Sequence, residues 1–456
     1  MRIGLVMICC VVASPIDFDA VVHRDDVSSA SHLELISTLS VVANDPSTRD
    51  TLLSQIAPSI LSNLTQTRSP ESSNSQSVQS TWDKLSSLFQ NGSMDILEYA
   101  NEIAASGQIP PTILPFLNGY VDIDDSSNHR HNPSLKNPSI YPLKAKGDAP
   151  YAIAEDVLRA AIHIPSSFSN TTSNKTPVLL VPGTAVPAAM TFYFNFAKLG
   201  NAFPEGDIFW VTIPHSSLGD IQSNVEYVAY ALNYVSALSA SKIAVISWSQ
   251  GGLDIQWALK YWPSTRDVVS DFIAISPDFH GTVIEWLVCP LLKPLACTPS
   301  IWQQGWDANL IKVLRGKGGD SAYVPTTTVY SSFDEVVQPM SGENASAVLL
   351  DARGVGVSNN HIQTICANKP AGGVYTHQGM LCNPLAWALA LDALRHGGPG
   401  NITRIDIKKV CKQVVPPHLE MIDLLGTEAL ALVALSELLA YSPKVSGEPN
   451  IVPYAS

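Results

Sequence analysis

Basic residues are scarce in this chain of 456 residues, since 27 Lys and Arg stand against 40 Asp and Glu and give a formal net charge of −13. Charged residues of both signs make up only 15%, compared with about 25% in a typical soluble protein. A protein that binds nucleic-acid phosphates needs a basic surface, so this composition excludes nucleic acid as a partner. The 46% of apolar residues, which follow no short repeat, exclude collagen-like, coiled-coil and wholly disordered chains. A large globular protein with a substantial core remains.

Long hydrophobic runs are also missing: no segment reaches the ~18 uninterrupted apolar residues of a membrane helix, so no transmembrane segment is expected. A shorter apolar run, residues 3–13, follows the positive residue Arg2. This pattern is typical of a secretory signal peptide, so residues 1–13 are predicted to be one and the protein to be secreted. A buried N-terminal strand is the alternative. Asn-x-Ser/Thr triplets, which are glycosylation sites in secreted proteins, occur at Asn63, Asn91, Asn170, Asn174, Asn344 and Asn401.

Cysteine is sparse, with seven residues in the whole chain. None of them forms a Cys-x-x-Cys pair or a Cys/His cluster with zinc spacing, so no metal site is predicted. Loss of Cys9 and Cys10 with the signal peptide leaves an odd number, which means at least one free thiol in the monomer that we expect. The close spacing of Cys289 and Cys297 predicts a disulfide across a short loop.

The first part of the mature chain differs from the rest in composition and in hydrophobic pattern. Residues 14–140 are polar and serine-rich, with short amphipathic patterns that predict helices. They contain no catalytic motif, and a propeptide, a cap and a loosely folded extension all fit them. Residues 141–456 are predicted to form the main domain.

Short apolar runs rich in β-branched residues alternate with helical patterns in this main domain. Strands without alternating polarity, separated by helices, indicate a mostly parallel sheet that is covered on both faces. The fold class is therefore predicted to be doubly wound α/β. The predicted strands are 176–182, 208–214, 242–247, 271–276 and 326–332, and the clearest helical patterns are 226–235 and 253–262.

The sharpest signal is Ser249, which lies between the strand 242–247 and the helix that begins near Leu253. Gly251 and Gly252 follow it. This arrangement is typical of a nucleophile elbow, in which a strained turn lifts a serine hydroxyl above the sheet while small neighbours avoid a clash. An ordinary strand-to-helix connection is the alternative.

A serine nucleophile needs a general base and a carboxylate that orients the base. In a doubly wound sheet these follow later strands, in the order acid and then histidine. Asp334 follows the strand 326–332 and is the predicted acid, with Glu335 and Asp351 as weaker alternatives. His377 lies in a glycine-flanked loop before an apolar helix and is the predicted base. The remaining histidines of this region are predicted to be structural or solvated: His361, His396 and His418.

The reaction also needs donors aimed at a developing oxyanion. The backbone N–H of Gln250, directly after the serine, is one candidate. The second is Thr184, in the loop that follows the strand 176–182, where its N–H and hydroxyl are both donors. A plain Pro-Gly turn at Gly183 is the alternative for this loop.

Several longer motifs in this half resemble the fungal lipase B family of α/β-hydrolases. The motifs are Val181-Pro-Gly-Thr, Trp248-Ser-Gln-Gly-Gly-Leu, Pro277-Asp-Phe-His-Gly-Thr, Pro299-Ser-Ile-Trp-Gln-Gln, Val324-Pro-Thr-Thr and Asp334-Glu-Val-Val-Gln-Pro. The resemblance runs in order from about residue 148 to residue 454 and leaves out the first 140 or so. It implies the α/β-hydrolase fold, an ester or lipid substrate and no cofactor.

The resemblance also implies roles for individual residues. It gives a triad of Ser249, His377 and Asp334, with Thr184 and Gln250 as the oxyanion hole. The further residues that it implies are Asp278 and Gln304 as polar groups of the acyl pocket, Trp248 on the alcohol side, and a disulfide between Cys366 and Cys411 that leaves Cys382 as the odd thiol.

Some positions depart from the family pattern. Ala185 replaces a glycine after the oxyanion threonine, and Val186 replaces a hydroxyl residue, so Val186 is expected to make the acyl entrance tighter and more apolar. The segment 419–435 has too many apolar residues for one core-facing stripe. It is predicted to be either a fully buried helix or a wall of the substrate funnel.

These observations predict a secreted serine lipase that hydrolyses carboxylic esters of the triacylglycerol type through an acyl-enzyme. A non-lipolytic carboxylesterase or an acyltransferase on the same triad is the alternative within enzymes, and a serine peptidase has less support. A catalytically silent protein that binds lipid or cell wall is the alternative of another class, but it would lack one of the three triad residues.

Overall fold

The computed structural model describes residues 132–135, 138–168, 175–284 and 296–456, together with Ser87. The predicted signal peptide and nearly all of the predicted extension lie outside these residues. The described segment 132–135 contacts the main domain. The side chain of Asn132 donates to the carbonyl of Ile162, and the hydroxyl of Tyr234 donates to the carbonyl of Pro133.

A seven-stranded sheet with the order β1-β3-β2-β4-β5-β6-β7 forms the centre of this domain. All neighbouring strands pair in parallel except β1, which is antiparallel to β3. The strands are β1 (Ile162–His163), β2 (Thr176–Val181), β3 (Gly206–Val211), β4 (Ile243–Trp248), β5 (Val269–Ile275), β6 (Thr326–Tyr330) and β7 (Val357–His361). The predicted α/β-hydrolase class is confirmed.

Both edge strands, β1 and β7, were absent from the sequence prediction. Strand β1 has only two residues, and β7 has the polar sequence Val-Ser-Asn-Asn-His and is mostly half-buried. Neither edge strand therefore has the length together with the apolar and β-branched content by which the inner strands are recognised.

Helices cover both faces of the sheet. The α-helices are α1 (Glu155–Ala160), α2 (Ala188–Tyr193), α3 (Ile221–Ser239), α4 (Gln250–Tyr261), α5 (Pro299–Gln303), α6 (Asn309–Arg315), α7 (Ile362–Ile365), α8 (Pro384–His396), α9 (Ile407–Val410), α10 (Met421–Glu428) and α11 (Leu430–Ala440). The 3₁₀ turns are Phe196–Asn201, Pro214–Ser217, Pro263–Thr265, Pro370–Gly372, Gly379–Cys382 and Pro453–Ala455.

Two hydrophobic cores result, one on each face. Because side chains alternate along a strand, Val178 and Leu180 of β2 belong to the core under α2, α8, α10 and α11, whereas Leu179 and Val181 belong to the core under α3 and α4. Strand β4 lies inside the sheet and is buried along its whole length. The serine that follows it therefore extends from a fully buried inner strand.

Helix α8 begins where its sequence dictates. The side chain of Asn383 accepts hydrogen bonds from the N–H groups of Leu385 and Ala386, and Pro384 occupies the first helical position. This cap satisfies the free N–H groups of the first turn. It also fixes the end of the loop that carries His377.

The part of the chain that the structure describes has no helix that is both long and apolar enough to cross a bilayer. The same part contains no cluster of three or more His, Cys, Asp and Glu side chains placed to hold a metal ion.

Candidate active site

Ser249 lies on a strained turn between β4 and α4. Its backbone has φ 57° and ψ −133°, a conformation that costs a non-glycine residue about 1–3 kcal/mol and is concentrated at functional sites. Its N–H donates to the carbonyl of Ile275 over 3.0 Å, and its carbonyl accepts from the N–H of Gly252 over 2.8 Å. These contacts hold the turn against strand β5, and the predicted strand–turn–helix context of an elbow is present.

Close backbone approach explains the glycines around this turn. A Cβ atom on Gly251 would lie 2.6 Å from the carbonyl oxygens of both Val181 and Pro182. A Cβ atom on Gly183 would lie 2.7 Å from that of Ser249. Any side chain at either position would push the loop after β2 away from the serine.

Replacing Gly251 by alanine is therefore expected to lower the free energy of unfolding by about 1–3 kcal/mol, the usual cost of overpacking, and to reduce esterase activity in parallel. Gly200→Ala is the matched control, because nothing lies within 4 Å of a Cβ atom there. Thermal unfolding and ester hydrolysis of both variants are the measurements. Equal behaviour of the two variants would contradict the close approach at the elbow.

Asp334 and His377 follow the neighbouring strands β6 and β7, at the carboxyl edge of the sheet where α/β proteins bind their ligands. The Nδ1 atom of His377 lies 2.7 Å from Oδ2 of Asp334, and both side chains are buried. The other carboxylate oxygen, Oδ1, accepts the N–H groups of Val336 and Val337 over 3.0 and 2.7 Å. The carboxylate is thus held in place by its own loop.

Contacts to the backbone of His377 fix the rest of the residue. Its carbonyl accepts a hydrogen bond from Nε1 of Trp248 over 3.0 Å, and the two rings lie 4.9 Å apart. Its N–H donates to Oε2 of Glu335 over 2.8 Å. Glu335, the weaker candidate for the acid, therefore contacts the backbone of the histidine rather than its ring.

Buried acids near the imidazole influence its pKa. Burial raises the pKa of Asp278 to about 7, and burial together with the neighbouring Asp334 raises that of Glu335 to about 8. Burial raises the pKa of Asp254 well above its usual range. Burial alone would lower the pKa of His377, but the charge of Asp334, the hydrogen bond to it, and the charges of Glu335 and Asp278 outweigh burial and raise it.

Thr184 and Gln250 lie together beside the serine. The hydroxyl of Thr184 donates to Oε1 of Gln250 over 2.6 Å, and Nε2 of Gln304 donates to the same Gln250 oxygen over 3.1 Å. Gln250 is also the first residue of α4, so its N–H has no acceptor within the helix. The next loop residue, Ala185, adopts φ 65° and donates its N–H to the carbonyl of Ser216 over 2.7 Å.

An apolar pocket with about 740 Å³ of empty space, part of it open to solvent, lies over the serine. The lining residues are Thr184, Ala185, Trp248, Ser249, Thr282, Ile284, Ile301, Gln304, Val336, Val337, His377, Gln378, Leu430, Ala431, Ala434 and Leu438.

Two of the residues predicted to bind substrate are not among those that line this pocket. Asp278 and Val186 are both completely buried. Ala185, which precedes Val186, takes the lining position instead. Asp278 acts on the site through its charge, because it contributes to raising the pKa of His377.

The apolar segment 419–435 contributes to two helices, α10 and α11, and not to a single one. One side of α11 lines the pocket through Leu430, Ala431, Ala434 and Leu438. Val433 and Leu435 belong to the core, and Leu432 is half-buried against it. This helix therefore combines the two alternatives, since it is both a buried element and a pocket wall. The loop residues 285–295, which include Cys289, lie outside the described residues.

The other candidates for acid and base lie in structural positions. Asp351 accepts the N–H groups of Val355 and Gly356 in an exposed turn. The ring of His361 hydrogen-bonds the hydroxyls of Ser332 and Thr364. Nδ1 of the exposed His396 ring lies 3.0 Å from a carboxylate oxygen of the buried Asp392, and His418 is an exposed residue with φ 74°.

Cys366 and Cys411 form a disulfide with Cα atoms 5.2 Å apart, which is the pair that the family resemblance implies. Cys382 is free and buried, and its thiol donates to the hydroxyl of Thr427 over 3.3 Å. Cys297 is disulfide-bonded, but its predicted partner Cys289 lies outside the described residues.

Two of the predicted glycosylation sites are described. Asn344 and Asn401 are both exposed. The other four, Asn63, Asn91, Asn170 and Asn174, lie outside the described residues.

A mostly parallel sheet, a serine on a strained strand-to-helix turn, and a histidine–aspartate pair after later strands define an α/β-hydrolase. Comparison with known proteins agrees. Lipase B of Pseudozyma antarctica is 31% identical over 325 residues, which are 70% of this chain and 90% of that protein. The crystal structure of Aspergillus fumigatus lipase B is 60% identical, with a TM-score of 0.84 over 92% of this chain and all of the other.

No family model matches the chain. The identity to the Pseudozyma antarctica protein and the share of both chains that it covers nevertheless establish the family. The chain belongs to the lipase B family, and it is an ester hydrolase of the α/β-hydrolase fold.

Proposed function

We propose that the protein is a secreted serine lipase that hydrolyses carboxylic esters of the triacylglycerol type through an acyl-enzyme. The observation that carries this proposal is the position of Ser249 and His377 on the lining of one apolar pocket, with the imidazole hydrogen-bonded to Asp334. An apolar pocket suits an acyl chain, and the three residue types suit nucleophilic catalysis.

In the proposed acylation step, Oγ of Ser249 attacks the carbonyl carbon of the ester while Nε2 of His377 takes the hydroxyl proton. The tetrahedral intermediate then breaks its bond to the alcohol oxygen, which receives that proton from the imidazolium. Asp334 holds Nδ1–H of the ring throughout and stabilises the positive charge without taking the proton. The products of this step are the free alcohol and an ester of Ser249.

In the proposed deacylation step, a water molecule gives one proton to Nε2 of His377 as its oxygen attacks the acyl carbon. Collapse of the second tetrahedral intermediate returns the proton to Oγ of Ser249 and releases the carboxylic acid. The backbone N–H groups of Gln250 and Thr184 stabilise the oxyanion in both steps. The Thr184 hydroxyl, which donates to Oε1 of Gln250 in the free protein, turns toward the oxyanion as a third donor. The free N–H at the first position of α4 also lies at the positive end of the helix dipole.

The alcohol side of the pocket is formed in part by Trp248, which packs against the ring of His377. The polar acyl-side residue Gln304 holds the two oxyanion residues through its amide. The acyl chain itself follows the wall that α11 presents to the pocket.

Because Ala434 lines this wall, Ala434→Phe is expected to lower kcat/KM for p-nitrophenyl palmitate about ten-fold or more, a usual effect of steric change in an apolar pocket. Hydrolysis of p-nitrophenyl butyrate is expected to stay within about two-fold of wild type, since its short chain ends before the wall. Steady-state kinetics on the two esters measure the difference. Equal losses on both esters would show that α11 does not accommodate the acyl chain.

The proposal extends to maturation. Residues 1–13 act as the signal peptide, residues 14–140 form an N-terminal extension, and residues 141–456 form the lipase domain, with glycans at the sequons of the secreted protein. N-terminal sequencing of the secreted protein tests the cleavage after Ala13. A start at Met1 would contradict it.

Hydrolysis of p-nitrophenyl butyrate and palmitate by the purified full-length chain tests the activity. We expect both esters to be hydrolysed, together with emulsified triacylglycerol. Hydrolysis of the butyrate ester alone would show that the protein is a non-lipolytic carboxylesterase and not a lipase. Efficient transfer of the acyl group to an added alcohol in water would favour an acyltransferase, and inactivity on every ester would leave a silent lipid-binding protein.

A further inference from the structure

Glu428 is a buried carboxylate at an unexpected place. It is the last residue of α10, two residues before α11 begins, and it is 1% exposed. Burying a carboxylate costs free energy unless hydrogen bonds compensate it. An apolar side chain would fill this position at a lower cost in free energy. The hydrogen bonds of Glu428 therefore indicate what its carboxylate does.

These bonds reach the two residues on either side of His377. Oε2 of Glu428 accepts the hydroxyl of Thr376 over 2.8 Å and the side-chain amide of Gln378 over 3.1 Å. The same Thr376 hydroxyl accepts the N–H of Gly379 over 2.8 Å. One carboxylate therefore holds both flanks of the histidine.

The approach of Glu428 to the loop leaves no free space. A Cβ atom on Gly379 would lie 2.6 Å from Oε1 of Glu428 and 2.8 Å from the hydroxyl of Thr376. Since α11 begins two residues after Glu428 and lines the pocket through Leu430 and Ala431, the same carboxylate also connects the pocket wall to the histidine loop.

We propose that Glu428 is a positioning residue, which fixes His377 for proton transfer by holding Thr376 and Gln378 and anchors this loop to the wall of the pocket. The proposal rests on the proposed function of His377 as general base. A base acts only within hydrogen-bond reach of its partner, and a misplacement of 1 Å costs about 100-fold in rate. Glu428 touches no reacting atom, so its effect must pass through the loop.

Glu428→Gln tests the proposal with almost no change of volume, because the amide has one acceptor oxygen in place of two and presents a donor to the loop. We expect kcat for p-nitrophenyl butyrate to fall about 10- to 100-fold, with KM within about two-fold of wild type. Thr376→Val removes the partner hydroxyl and is expected to lower kcat similarly. The double variant is expected to lose less than the product of the two single losses, since both remove one interaction.

Asp423→Asn is the matched control. Asp423 lies on the same helix, closes the capping box with Glu420 and forms an ion pair with Lys198, but its carboxylate has no bond to the histidine loop in the described part of the chain. It is expected to lower the melting temperature and leave kcat unchanged. If it lowers kcat as much as Glu428→Gln at an equal loss of melting temperature, Glu428 only stabilises α10 and the proposal is wrong.

Two further outcomes would overturn the positioning role: a wild-type kcat in folded Glu428→Gln, or a rise in KM with kcat unchanged. If Glu428→Gln does not fold, a wild-type kcat in Thr376→Val overturns it instead. His377→Ala separates this inference from the proposed function. Full activity in His377→Ala overturns the proposed function, whereas loss there with a wild-type kcat in Glu428→Gln overturns only the role of Glu428.

Discussion

Replacing Ser249 by alanine is expected to lower kcat for p-nitrophenyl butyrate by about 10⁶-fold, the loss typical of a serine hydrolase without its nucleophile. The hydroxyl is the group that forms the acyl-enzyme, and the described residues that line the pocket include no other serine and no cysteine. The variant is expected to fold normally, because alanine is smaller and the turn is held by backbone bonds to Ile275 and Gly252.

Ser236→Ala is the control for this variant. Its hydroxyl is also buried and hydrogen-bonded, to the carbonyl of Ser241 over 2.7 Å, but it lies on α3, away from the pocket. Activity of this control is expected to stay within about two-fold of wild type, with a loss of stability of about 1 kcal/mol. Retention of activity in folded Ser249→Ala would show that Ser249 is not the nucleophile.

Replacing Asp334 by asparagine is expected to lower kcat by about 10⁴-fold. The carboxylate accepts Nδ1–H of His377 and so leaves Nε2 free to take the serine proton. An amide that turns its NH₂ group to the ring would stabilise the opposite tautomer, in which Nε2 carries the proton and cannot act as a base. Steady-state kinetics at neutral pH measure the loss.

The same variant changes the pH dependence. Activity requires the neutral imidazole, so it falls as the pH decreases through the pKa of His377. Because this pKa is raised in the folded protein, the acidic limb of kcat/KM is expected above the ordinary histidine value of about 6.5. Loss of the Asp334 charge lowers the pKa of His377, and the limb of Asp334→Asn is expected to move to lower pH.

Asp351→Asn is the control for the acid, because its carboxylate holds only an exposed turn. It is expected to leave kcat and the pH profile unchanged. If Asp351→Asn lowered kcat by about 10⁴-fold and Asp334→Asn had little effect, the assignment of Asp334 as the acid would be wrong.

Local sequence features made the centre of the fold predictable. The inner strands are short runs rich in apolar and β-branched residues and are buried almost throughout, and the elbow combines a serine with glycines at spacings that backbone contact demands at Gly251. The pairing of Asp334 with His377 was also predictable, because strand order determines which loops meet at the carboxyl edge of the sheet. Each of these features depends on a short segment or on topology.

Features that arise from long-range packing were not predictable. Nothing in the residues near Val186 indicates that Val186 is buried outside the pocket lining while Ala185 lines the pocket. The role of Glu335 depends on the N–H of a residue 42 positions later, and that of Glu428 depends on a loop about 50 positions earlier. The one signal for Glu428 in the sequence is a carboxylate placed directly before the uninterrupted apolar run 429–435.

Covalent labelling tests the central claim most directly. The full-length protein and Ser249→Ala are treated with a p-nitrophenyl alkylphosphonate, which phosphonylates serine nucleophiles and releases p-nitrophenol. The account predicts one equivalent of p-nitrophenol, complete loss of esterase activity, and a mass increase on the peptide that contains Ser249, with no adduct on the alanine variant. An adduct on another residue that accompanies the loss of activity, or esterase activity that survives full labelling of Ser249, would contradict it.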